Sequence, residues 1–329
     1  MKLFHESNSS LSLHRYGIGI PMTNDRLTKI VSFAETNGLF CQDLAKNDLE
    51  INEDLLSLAH NKAYCEAILG SESQKEDALI KTFELFDDNG KANRFNRDLA
   101  ELPLHTLSDR ARKQTGASLY ASIEALKGES TFFLGGGYHH AMSFGGRGFC
   151  HINDIIISAK FLQKHHRIGH IWVIDIDVHK GDGTAEITLN DDTITTFSIH
   201  MAEGWPLDDN GKSRAYMDRP WHLPSTVDIP VGADQNSDYL NLLEEGLKKL
   251  SKEPNPDFIF VIQGSDPYEK DELESSSLIN LSLEEMLERD IQVLDLCQRM
   301  GVPHCHLMSG GYGKYSHEPF IRFFEYLNI

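Results

Sequence analysis

The chain has no C-x-x-C pair and only five cysteines, Cys41, Cys65, Cys150, Cys297 and Cys305. That count and spacing exclude a disulfide framework and a cysteine zinc site, and they suit a reducing compartment. Long apolar runs are also missing. The strongest, FIFVI at 258–262, is far short of the roughly 20 residues that a bilayer span requires. The opening MKLFHESNSSLSLHRYG lacks the apolar core of a secretory leader, so a soluble, cytoplasmic protein is expected. Positive charge is scarce: 31 Lys and Arg stand against 50 Asp and Glu, a formal charge of −19. Such a surface repels phosphate backbones, so nucleic acid is not expected as a partner, whereas lysine-bearing peptides and polyamines are tolerated. The Gly-rich turns lack the Lys-Ser/Thr of a P-loop, which removes the sequence argument for a nucleotide. No Pro/Ser-rich linker or repeat interrupts the 329 residues, and one domain over 1–329 is expected.

What is present is an alternation of short apolar runs with helical patterns. Strands are expected at 131–134, 171–177, 195–200, 227–231, 258–262 and 304–308, each a nearly continuous apolar run. Between them, Ser282 and Glu285 form a capping-box pattern ahead of Leu283, Met286, Leu287, Ile291 and Leu294, with Gly301 and Pro303 as stops. Leu240, Leu243, Leu247 and Leu250 mark a second amphipathic helix. The stretch from 23 to 128 reads as mostly helical, with Thr23 capping one helix and a long one over 108–127. This pattern predicts an α/β fold, a parallel sheet covered by helices on both faces.

Ligands of such sheets bind beyond the carboxyl ends of the strands. Four of these ends carry polar clusters. The first is Asp175-Ile-Asp177-Val-His179, with Asp182 close behind, where three donors at spacing two fall on one face of an extended segment. Burying two adjacent carboxylates costs several kcal/mol unless a cation compensates. Asp266 follows FIFVI and completes a set of three with Asp177 and His179, the arrangement of a catalytic metal site with an open position. His139 and His140 follow a Gly-Gly-Gly turn and become proton-transfer candidates, with Asp175 and Asp182 to orient them. Tyr312, in Ser-Gly-Gly-Tyr, is placed to present its hydroxyl to a reacting carbonyl oxygen. His165, His166, His304 and His306 have no such company and read as helix-end or packing residues.

Together, GGGYHHA, GRGFCHINDI, DIDVHKGDG, GSDPYEKDEL and SGGY resemble the zinc-dependent histone deacetylase family, with its acetoin-utilisation and acetylpolyamine-hydrolase relatives. The ending MSGGYGKYS is most similar to class IV members. The resemblance implies a single-domain arginase–deacetylase fold and hydrolysis of an acetyl or longer acyl group from the lysine side chain of a protein or peptide. It implies Zn²⁺ on Asp177, His179 and Asp266, with Fe²⁺ or Co²⁺ as alternatives. It implies that Asp175 and Asp182 partner His139 and His140, and that Tyr312 polarises the substrate carbonyl. Phe149 and Trp205 match the aromatic walls of an acyl-lysine channel, and Gly148 the carbonyl that accepts the substrate amide N–H. Arg26 matches the arginine of an internal acetate cavity, and structural K⁺ is implied near Asp175, Asp177, His179 and Ser198.

Two residues depart from the pattern, Lys180 for the usual His or Gln and Trp205 for the commoner Phe. An acetylpolyamine deacetylase is the alternative within the same chemistry. Its gatekeeper glutamate would stand where this chain has Leu273, between Glu272 and Glu274. A catalytically inactive acyl-lysine-binding module is the alternative from another class, although no ligand, histidine or tyrosine has been lost. A binuclear manganese ureohydrolase would need an aspartate where Gly181 stands. The oligomeric state is not legible.

Overall fold

The computed structural model describes residues 1–7, 12–22, 25–46, 49, 51–87, 89–208 and 219–327. Eight strands among them form one sheet: β1 Lys2–His5, β2 Cys41–Asp43, β3 Thr131–Phe133, β4 Ile171–Asp175, β5 Ile194–Met201, β6 Val227–Val231, β7 Phe258–Ile262 and β8 His304–Leu307. Their order is β2-β1-β3-β8-β7-β4-β5-β6, and every neighbouring pair is parallel. The helices are α1 Asp25–Thr36, α2 Glu53–Leu56, α3 Lys62–Leu69, α4 Glu72–Thr82, α5 Thr106–Ala125, α6 Asp154–His166, α7 Asp182–Thr188, α8 Tyr239–Leu250, α9 Leu283–Met300 and α10 Glu318–Tyr326.

The two-residue period of a strand sends alternate side chains to opposite faces, and here both faces are apolar. Ile171 and Val173 of β4 join Phe258, Phe260 and Ile262 of β7 in a core shared with α3 to α6. Trp172, Ile174, Ile259 and Val261 point the other way, into a core closed by α8 and α9. At the β1–β3 end that second face is covered by α1 and α10 around Phe132. All five residues of β7 are fully buried, each contributing about 1.5–3 kcal/mol relative to exposure. α9 starts as its sequence predicts. Ser282 Oγ accepts the Glu285 N–H, the Glu285 carboxylate accepts the Ser282 N–H, and Gly301 ends the helix at φ 67°.

Three expectations are corrected. β2 lies in the stretch read as mostly helical, and β1 precedes it where no element was expected; β1 and β2 have only four and three residues, too few for a period to show. The long helix runs over Thr106–Ala125 rather than 108–127, and the Thr23 cap falls outside the described residues. β4 stops at Asp175 rather than 177, so Ile176 to His179 leave the ladder as irregular backbone.

Candidate active site

β3, β8, β7 and β4 are consecutive in the sheet, so the four loops that follow them open side by side at one edge. The polar clusters at 135–140, 263–266 and 309–312 belong to these loops, and that at 175–182 runs from the last residue of β4 through its loop to the first of α7.

Asp177, His179 and Asp266 converge there. One donor atom from each lies within 4.8 Å of the others, and all three side chains are buried. His179 Nδ1 is 3.2 Å from Asp266 Oδ2 and 3.4 Å from Asp177 Oδ1. Backbone amides fix the carboxylates: Gly310 N–H donates to Asp177 Oδ2 at 3.0 Å and Val178 N–H to Asp266 Oδ1 at 3.1 Å. Position 310 must be glycine, because a Cβ would run into both carboxylates. Burial and the neighbouring Asp177 charge push Asp266 up to about 6. Burial alone would lower His179, but its bonds to Asp177 and Asp266 lift it to about 10. The cluster therefore demands a positive charge at its centre. Two carboxylate oxygens and one imidazole nitrogen at this separation fit a divalent ion such as Zn²⁺.

His139 and His140 stand over this group with ring centroids 3.9 Å apart. Each donates from Nδ1 to an aspartate at 2.6 Å, His139 to Asp175 and His140 to Asp182. The second oxygen of Asp175 accepts the Asp177 N–H, while that of Asp182 accepts from Arg147 at 2.6 Å. Burial works against protonation of His139, but Asp175 and Asp177 outweigh it and hold the ring at about 9. Burial and the charge on His139 take His140 down to about 3.

Asp177, His179 and the histidine pair face a cavity of about 790 Å³, counting the part open to solvent, whose other walls include Arg26, Gly148, Phe149 and Tyr312. The Tyr312 phenol is buried, and with Asp266 and Asp177 nearby its proton is held far more tightly than usual. It is therefore a hydrogen-bond donor at any ordinary pH. It does not ride on a loose turn, since its N–H donates to Asp271 at 2.7 Å. Arg26 lines the cavity, yet its guanidinium donates to the carbonyls of Ser309, Gly310 and Gly311, bracing the loop that carries Tyr312. Phe149 packs against Tyr312 at 6.1 Å and stacks on Phe83, and Leu273 joins the same apolar cluster.

Trp205 packs directly on the histidines. Its ring meets His140 at 4.5 Å and His179 at 5.5 Å, edge to face, and presses on Gly148, where any side chain would collide with the indole. Ser198 stands in register with Asp175 on β5, and Gly181 N–H reaches its Oγ at 3.5 Å. Lys180 adds no free charge to the site: it is buried and bonded to Asp228 at 2.5 Å. His306 stacks on Phe132 and bonds Gln263, the packing role its sequence context suggested.

Four contributors were not singled out from sequence. Ser309 Oγ lies 3.0 Å from Asp177 Oδ2. Asp154 accepts the N–H groups of Gly137 and Tyr138 and so shapes the turn before the histidines. Asp271, pushed up to about 7 by burial and Asp266, anchors Tyr312. Arg147 sits between Trp205 and Trp221, its guanidinium 5.0 and 4.6 Å from their ring centroids. The only signal for Asp154 and Arg147 was their position inside GRGFCHINDI.

Residues 20–322 match the model of the histone deacetylase domain. The chain is similar to the acetoin utilization protein AcuC of Staphylococcus aureus, 31% identical over 226 residues, which is 67% of this chain and 54% of that protein. It is also similar to histone deacetylase 2 of Arabidopsis thaliana, 28% identical over 205 residues, 62% of this chain and 50% of that one. The chain thus spans about half the length of these curated relatives. The crystal structure of an HDAC homolog from Aquifex aeolicus superposes with a TM-score of 0.73 at 20% identity, covering 99% of this chain and 83% of that one. That likeness gives the fold, the arginase–deacetylase arrangement of α/β layers.

Proposed function

Because the chain belongs to the histone deacetylase family, we propose that it is a metal-dependent amidohydrolase that removes an acetyl or longer acyl group from the lysine side chain of a protein or peptide. The observation that carries this reading is the buried Asp177–His179–Asp266 group facing one cavity with two His–Asp pairs and Tyr312. In it, residues 1–329 act as one catalytic domain in the reducing cytoplasm, with all five cysteines free.

Asp177, His179 and Asp266 would hold Zn²⁺, or Fe²⁺ or Co²⁺ where those are available. Bound there, the ion would supply Lewis-acid polarisation of the amide carbonyl and of the attacking water. Two carboxylates make it a mild Lewis acid, so the chain must add stabilisation of its own. Tyr312 donates its O–H to the oxygen that becomes negative, a contact worth roughly 3–4 kcal/mol in comparable sites. His140, neutral, takes a proton from the water as its oxygen bonds to the carbonyl carbon. It then delivers that proton to the lysine nitrogen as the C–N bond breaks, leaving a carboxylic acid and a free amine, and passage of the acid proton to the amine gives the carboxylate and ammonium products. His139, kept charged by Asp175, steadies the developing negative charge and holds His140 in its neutral form. Gly148 offers its carbonyl to the substrate amide N–H, and Phe149 and Trp205 flank the lysine stem. Asp175, Asp177, His179 and Ser198 would hold K⁺ as a structural ion. Arg26 serves the inner end of the cavity.

Leu273 favours lysine over a polyamine. It is buried among Phe149, Tyr312 and Phe83, so that position offers no carboxylate to a second ammonium. The test is turnover of matched acetyl-, butyryl- and myristoyl-lysine peptides and of acetylspermidine, with and without a chelator. Chelator-sensitive hydrolysis that is faster on a lysine peptide is expected. Metal-loaded protein inert on all four substrates would overturn the reading in favour of a binding module.

A further inference from the structure

β4 and β7 run paired in register up to Asp175 and Ile262, and the Ile176 N–H makes the next bond to the Ile262 carbonyl at 3.0 Å. Beyond that rung the strands end, because the chain turns to aim Asp177 and Asp266 at each other. The break exposes two carbonyls: Ile176, one residue before Asp177, and Gly264, two before Asp266. A buried carbonyl with no donor costs about 1–3 kcal/mol. Here one atom serves both. Arg289 Nη1, with its two hydrogens, donates to Ile176 O at 3.0 Å and to Gly264 O at 2.8 Å.

The arginine comes from the middle of α9 and has no exposed surface. Asp290 holds the other edge of the guanidinium, 2.9 Å from Nε and 2.7 Å from Nη2, and is buried as well. Consecutive charged residues both facing inward break the pattern of an amphipathic helix. Burial of an ion pair is an expensive way to stabilise a core that apolar side chains would fill equally well. The fork geometry explains the choice, since a planar guanidinium can meet two carbonyls and a carboxylate in fixed directions and an ammonium cannot.

We propose that Arg289 is a positioning residue for the metal site, setting the spacing between the Asp177 and Asp266 backbones, with Asp290 aiming it. The proposal rests on the reading of Asp177, His179 and Asp266 as metal ligands. Its test is metal binding rather than turnover. Wild-type protein, Arg289→Lys and Asp290→Asn are stripped of metal, and Zn²⁺ and Co²⁺ affinities are read by competition with a chromophoric chelator. Arg289→Lys should bind about 10–100-fold more weakly, the usual effect of losing a partner behind a ligand. Its Co²⁺ form should show a changed visible spectrum. Asp290→Asn keeps the donors but not their aim, and should lose less in the same direction; it carries the test if the lysine variant does not fold. Wild-type affinity and spectrum in the folded variants, with only a lower unfolding temperature, would overturn the proposal and leave Arg289–Asp290 as a core ion pair. Wild-type protein that binds neither ion would instead overturn the ligand reading beneath it.

Discussion

His139 and His140 are neighbours in sequence and in space, and each donates from Nδ1 to a buried aspartate at 2.6 Å. Their proton affinities nevertheless diverge, one held at about 9 and the other at about 3. The bond to the carboxylate cannot be the reason, because it is the same in both. What differs is the company around it. The His139 ring also has Asp177 3.7 Å from Nε2, and the second oxygen of Asp175 meets only an uncharged amide. Asp182 divides its charge between His140 and Arg147, and His140 additionally faces the positive charge of His139. A repeated His–Asp unit thus yields one charged ring and one neutral ring, the division of labour that acid–base chemistry at a single carbonyl needs.

The strongest way to break this comparison is to delete each ring in turn. His140→Ala should lower kcat by about 1,000-fold, within the range for a lost general acid–base, and His139→Ala distinctly less. Equal losses in single-turnover kinetics would erase the distinction. Tyr312→Phe leaves both rings in place and removes one donor. It should reduce turnover about 100-fold at unchanged metal content measured by elemental analysis.

A third pair sharpens the contrast because it lacks any carboxylate. His60 donates from Nδ1 to Met142 O and accepts the Asn153 N–H on Nε2, while His151 meets Thr82, Tyr64 and Ser108. Burial drives His60 to about 4 against the pull of its bond to Met142, and burial together with the neighbouring His60 takes His151 to about 3, from an ordinary 6.5. Both stay neutral in the fold, whereas the unfolded chain takes up protons below about pH 6.5. Stability should therefore fall as pH drops from 6.5 towards 4, by about 1.4 kcal/mol per pH unit for each histidine. Denaturant titrations of wild-type protein and His60→Gln across that window check the sign. The mildest test is Arg147→Ala, which removes a partly exposed partner of Asp182. An ion pair of that kind is worth about 1 kcal/mol, so kcat/KM should fall about fivefold. A loss as large as that of His140→Ala would mean that Arg147 does more than share Asp182.

The core strands were legible because each is buried on both faces and so reads as an unbroken apolar run. The site was legible for a related reason: carboxylates and imidazoles directly after FIFVI or IWVI need an explanation, and one metal explains three of them. β1 and β2, at one end of the sheet, were not legible. CQD of β2 is half-exposed and polar, and only its pairing with β1 makes it a strand. Arg289 was hidden for the opposite reason, since an Arg-Asp pair in a helix reads as a solvated turn until its tertiary neighbours are known. Trp205 could be matched to a wall but not to its seat on the two histidines, which depends on contacts between distant loops.

The strand order also governs how the molecule is assembled. β8, residues 304–307, is inserted between β3 and β7 and, among the described residues, is the only strand that joins β2-β1-β3 to β7-β4-β5-β6. Until that segment has left the ribosome, the nascent chain holds two half-sheets, each with an unpaired inner edge. Such edges are templates for intermolecular pairing. The same late segment leads into Ser309, Gly310 and Tyr312, so the cavity floor cannot close before the sheet does. A chain arrested before residue 304 would therefore be both inactive and prone to aggregate, and chaperone dependence should peak in that interval of synthesis.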